Sequence, residues 1–221
     1  MATVGISLAT TLLIYVLYDL VEKRVIPIPV PLLCFFTLYV GLVSVLLDPI
    51  SHPLIWLAFC FLLYSVLDDL VTQTLYSEGL VIAAFLFFLI GQKVDSLLFA
   101  CLFFAVFLVF VKWLEKNTEE TLIGEGDLYA FLALMIWLDP SQYGAFFLCS
   151  LLLVYPVATW VYVKGGISHI GFVPYIVMGA CLVGEGEMIL TLWPYLFGVT
   201  SLSMVIFLFF AIRKARKKRK G

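Results

Sequence analysis

An all-α, polytopic membrane bundle is the fold class this sequence predicts, and three observations predict it. Of its 221 residues 64% are hydrophobic and only 13% charged, with a mean hydropathy of +1.13. A water-soluble domain averages about 45–50% apolar and about 25% charged. The apolar residues fall in long runs separated by short polar connectors. At about 20 residues per crossing there is room for eight or nine helices and no sizeable soluble domain. The basic residues, finally, are segregated into alternate connectors. The chain 1–221 reads as a single integral membrane domain.

Taken in order, the spans fall at about 4–21, 30–47, 53–70, 78–92, 96–113, 127–138, 143–163, 170–184 and 188–212. The first run, Val4 to Leu17, has no basic stretch before it and no small-residue cleavage site after it. It reads as a retained helix, not a cleaved signal peptide. The sixth is short and must extend into its flanks or be shielded by protein. Connectors after spans one, five and seven carry Lys23, Arg24, Lys112, Lys116 and Lys164. With the seven basic residues between Arg213 and Lys220, these make twelve of the thirteen Lys and Arg. The other connectors hold Asp48, Asp95, Asp139, Glu185, Glu187 and, among basic residues, Lys93. The positive-inside rule then puts the N-terminus outside and the C-terminus in the cytoplasm, with nine spans in the plasma membrane. The basic tail 213–221 reads as a cytoplasmic anchor within reach of anionic lipid. A nucleic-acid partner would need a folded basic face with base-reading side chains, which this chain does not offer.

The cysteines (Cys34, Cys60, Cys101, Cys149, Cys181) lie inside apolar runs without a CxxC pair, as small buried hydrophobes do. The two histidines, His52 and His169, sit in different connectors with no ligand at metal spacing. No metal or cofactor is expected. The aromatic residues are expected to face lipid and the interface belts.

The chemistry gathers at Gly124-Glu125-Gly126-Asp127, between a polar loop (Lys112 to Thr121) and an apolar run opening at Leu128. An Asp at the centre of a membrane helix costs roughly 2.5–3.5 kcal/mol, so an intramembrane carboxylate is by default a functional candidate whose partner must be found. The glycines Gly124 and Gly126 are expected to let the chain adopt φ > 0 and approach a substrate backbone closely. Asp68 and Asp69 end the third span and Asp19 ends the first, all approaching the same surface as Asp127. Adjacent helical residues diverge by about 100°, so Asp68 and Asp69 cannot face one partner together. Two carboxylates held close share a proton and titrate as a unit. The ionised one takes a proton from water while the protonated one polarises a peptide carbonyl, as in aspartic proteases.

These residues resemble the type IV prepilin peptidase family, GxGD aspartyl proteases that include archaeal preflagellin peptidases. Asp69-Leu70 is similar to the family's first catalytic aspartate at a cytoplasmic helix end. The Pro-Asp or Pro-Asn pair that follows it in the family is replaced here by Tyr76-Ser77. Gly124 to Asp127, followed by Leu128-Tyr129-Ala130-Phe131, is similar to the GxGD and its small, apolar helix. Ile170-Gly171-Phe172-Val173-Pro174-Tyr175 resembles the family's Phe-Gly-Pro-Phe stretch. The 58 residues separating Asp69 from Asp127 suit the family, and the resemblance spans 55–183 as a peptidase core. It implies catalytic Asp69 and Asp127, substrate contact at Gly124 and Gly126, and no cofactor. The implied substrate is a type IV pilin-like or competence pseudopilin precursor with a basic leader, cut at the cytoplasmic face. The first cytoplasmic connector, Glu22 to Pro29, lacks the paired CxxC subdomain linked in the family to methylation.

Asp68 and Asp19 remain alternatives to Asp69 as partner of Asp127. Asp19 lies 108 residues before it, too far for the family's pattern, and can pair with Lys23 one helical turn on. A presenilin-type relationship would use Tyr18-Asp19 but lacks a Pro-Ala-Leu element. A non-enzymatic carrier, assembly subunit or degenerate peptidase would use the same carboxylates to conduct protons or bind basic partners. The loop Lys112 to Thr121, with three glutamates, is either a docking site for a basic leader or a solvated connector. Lys164-Gly165-Gly166 and Gly184-Glu185-Gly186-Glu187 read as turns.

Overall fold

The computed structural model describes residues 2–22, 28–72, 77–91, 94–118, 124–164 and 171–184, with single positions at 195, 198, 199, 202 and 205. The described residues form eight α-helices: α1 (Ala2–Glu22), α2 (Val30–Leu47), α3 (Pro53–Thr72), α4 (Ser77–Gly91), α5 (Val94–Thr118), α6 (Glu125–Trp137), α7 (Tyr143–Lys164) and α8 (Val173–Gly184). A 3₁₀ turn at Pro140–Gln142 leads into α7. Five helices are long and apolar enough to cross a membrane, and α4, α6 and α8 are shorter apolar helices. The ninth expected span and the basic tail lie outside the described residues, apart from those single positions, as do Lys23, Arg24, Tyr76, the Gly165-Gly166 turn, His169 and Glu185 to Glu187.

Helix limits follow local chemistry. Pro29 precedes α2 and Pro31 occupies its first turn, where a missing N–H costs nothing. At the other end Asp48 closes α2 in the left-handed conformation (φ 40°), which Asp tolerates better than most residues, and Pro49 follows. The segment expected to be a polar loop from Lys112 is instead helical to Thr118. Lys, Leu and Glu are good helix formers, and Lys112 Nζ binds Glu115 Oε2 at 3.1 Å across one turn. The rest of that segment, Glu119 to Thr121, lies outside the described residues.

The centre is a ring in which α3 packs on α4, α4 on α6, α6 on α8 and α8 back on α3. Helices α1 and α2 flank α3, α5 lies against α6, and α7 against α8. Every residue of α8 from Val173 to Val183 except Tyr175 is buried. At 1.5 Å per residue its 12 residues span about 18 Å, too short for a bilayer of about 30 Å, so a helix apolar all round is sheltered by neighbours. By contrast α5 turns Leu98, Leu102, Val106, Val109 and Phe110 outward, an exterior suited to lipid.

Aromatic rings knit the inside more than expected. Phe59, Phe87 and Trp137 join α3, α4 and α6, with centroids 5.0–5.8 Å apart. Phe131 of α6 stacks on Phe147 of α7 at 4.5 Å and meets Phe172, just before α8, edge-on at 5.7 Å. Such pairs contribute about 0.5–1.5 kcal/mol beyond area burial. The cysteines are likewise mixed: Cys149 and Cys181 are buried as expected, whereas Cys34 and Cys101 face outward.

Candidate active site

Contacts along the helices show that they alternate in direction. At one end Tyr18, near the C-terminus of α1, reaches Asp68, near the C-terminus of α3. At the opposite end Gln142 Nε2 donates to Val183 O at 3.2 Å, and Gly184 lies against the Trp137 ring. The C-terminal ends of α1, α3, α5 and α7 therefore gather with the N-terminal ends of α2, α4, α6 and α8. Asp68, Asp69 and Asp127 all belong to that end.

The two neighbouring aspartates of α3 point to different helices, as a 100° rotation per residue requires. Asp68 is completely buried and turned toward α1. Its Oδ1 accepts from Tyr18 Oη at 3.2 Å and from Thr72 Oγ1 at 3.1 Å. Asp69, 4% exposed, turns toward α8. Its Oδ2 accepts from the backbone N–H of Val173 at 3.2 Å, the first residue of that helix. An unpaired N–H at a helix start is a natural partner for a carboxylate, and Pro174 follows where an N–H is dispensable. Tyr175 also lies within electrostatic reach of Asp69. Asp19 is exposed on α1.

Asp127 is the third residue of α6. Its Oδ2 accepts from the Gly124 N–H at 3.3 Å, an acidic side chain reaching back to the N-cap as in half of a capping box. The other oxygen, Oδ1, is buried and has no hydrogen-bond partner among the described residues. Asp127 and Asp69 are near enough to interact electrostatically. A buried, unsatisfied carboxylate oxygen costs roughly 1–3 kcal/mol or more, which makes Asp127 the reactive-looking member of the group.

The GxGD glycines serve differently from expectation. Gly124 is extended (φ −64°, ψ 148°), not left-handed, and Gly126 lies inside the first turn of α6. A Cβ on Gly124 would stand 3.1 Å from Asp127 Oδ2. Close approach to the carboxylate, not a special φ, is what favours glycine there. Gly171 is tighter still: an added Cβ would lie 2.5 Å from Asp69 Oδ2 and 2.9 Å from its Cγ. Sequence reasoning attached no role to Gly171 or Val173, although the stretch containing them stood out by resemblance, and it considered Tyr18 only beside Asp19, not as a partner of Asp68.

Among the described residues no group of three His, Cys, Asp or Glu side chains could hold a metal ion. No family model, curated protein or solved structure matches this chain.

Proposed function

We propose that the chain is an intramembrane aspartic endopeptidase of the prepilin-peptidase type, with Asp69 and Asp127 as its catalytic pair. The observation that carries this reading is their convergence: two carboxylates 58 residues apart interact at one end of the bundle, and one presents a buried oxygen with no partner among the described residues. In this reading the ionised aspartate takes a proton from water as the water oxygen attacks the scissile carbonyl, while the protonated aspartate donates to the carbonyl oxygen. The tetrahedral diol then collapses: one hydroxyl gives its proton to the now ionised second aspartate, the C–N bond breaks, and the leaving amine takes the proton held by the first. Gly124 and Gly126 keep side chains off the approach to Asp127, leaving space for an extended segment.

In the sequence Lys23 and Arg24 follow α1, Lys112 and Lys116 fall in the last turns of α5 and Lys164 ends α7, whereas Lys93 alone among the basic residues falls between α4 and α5. The positive-inside rule therefore supports a cytoplasmic site in the plasma membrane, with nine spans and an outer N-terminus. The substrate fitting such a site is a pilin-like or pseudopilin precursor whose basic leader precedes a hydrophobic helix. Cleavage of such a precursor in membranes tests the proposal. Asp127→Asn and Asp69→Asn, expressed at the wild-type level, should each reduce processing to background. Full processing by Asp127→Asn would end the peptidase reading and favour a carrier or assembly role.

A further inference from the structure

Gly171 and the first N–H of α8 form a wall of the site that the two aspartates alone do not define. Gly171 and Phe172, just ahead of α8, come so close to the Asp69 carboxylate that a Cβ at position 171 would collide with it unless the carboxylate moved. The contact is held from three sides. Val173 N–H reaches Asp69 Oδ2 at 3.2 Å. Behind it, the buried Tyr39 of α2 donates its hydroxyl to Pro174 O at 2.6 Å. The Phe172 ring rests on Phe131 of α6, the helix that carries Asp127. The start of α8 thus touches the helices of both aspartates, and α8 packs along α3 and α6.

We infer that Gly171 is a positioning residue: its missing side chain lets the Val173 N–H seat the Asp69 carboxylate facing Asp127. This rests on the peptidase reading for its catalytic consequence but not for its geometric one. A misplacement of about 1 Å in such a pair lowers turnover by about a hundredfold.

Two experiments on the full chain test it. The first is a thermal-unfolding cycle in detergent that needs no activity. Gly171→Ala should lower Tm by several degrees in the wild-type background and by little in Asp69→Ala, where the methyl group takes the vacated space. Gly41→Ala, with nothing within 4 Å of the added carbon, is the control and should leave Tm essentially unchanged. An equal loss from Gly171→Ala in both backgrounds overturns the inference. The second is precursor cleavage by Val173→Pro, which deletes the N–H at a first helical position where proline is tolerated. Here kcat should fall about a hundredfold with KM nearly unchanged. Wild-type turnover by Val173→Pro, with Asp69→Asn inactive, also overturns it. If Asp69→Asn itself cleaves, the peptidase reading fails and the thermal cycle alone decides the geometry.

Discussion

The two faces of α3 treat a carboxylate in opposite ways. Toward α1, Asp68 is wholly buried and its Oδ1 is held by two hydroxyls, Tyr18 from the neighbouring helix and Thr72 one turn on. Toward α8 and α6, Asp69 accepts from the Val173 backbone N–H and interacts with Asp127, whose Oδ1 meets no donor among the described residues. Satisfied polar groups in an apolar interior fix a packing arrangement; an unsatisfied one keeps bonding capacity for something else. On the proposed peptidase reading, one face of the helix serves structure and the other chemistry.

Exchanging the charges is the strongest way to break that contrast. Asp69→Asn should abolish precursor cleavage, whereas Asp68→Asn, which keeps an acceptor for Tyr18, should retain most of the initial rate. The reverse result would move the catalytic role to the α1 face. Next in size, Asp68→Ala leaves the Tyr18 hydroxyl without this acceptor and should cost about 1–3 kcal/mol of stability, read from unfolding in detergent. Tyr18→Phe removes one hydrogen bond between helices, and such bonds average about 0.6 kcal/mol in a membrane protein; a small fall in Tm with cleavage intact is expected. Asp19→Asn, on the exposed surface of α1, should change neither rate nor Tm, and a loss of cleavage there would redraw the site around the first helix.

Much of the helix framework was legible because apolar runs and prolines mark it directly. The limits of α2 agree with the expected 30–47, since Pro29 and Pro49 frame the run. The end of α5 was not, because a polar segment rich in helix formers does not announce whether it is a loop. For the site, GxGD pointed to Asp127 and to a partner at the end of α3. Which of Asp68 and Asp69 faces Asp127 depends on the rotation of α3, and a helix apolar on nearly every side carries no periodicity to reveal it. The third wall was harder to see: Val173 touches Asp69 through its backbone across 104 residues of sequence, a contact no side-chain motif encodes.

Because α8 supplies the donor to Asp69, the order of synthesis matters. A chain translated as far as α6 already contains both aspartates, yet it lacks the Val173 N–H that the first one accepts from. Val173 lies 46 residues beyond Asp127, so the pair is completed only when α8 has entered the membrane. A nascent chain still being inserted would therefore lack this donor to Asp69 until nearly all of the described bundle has been made.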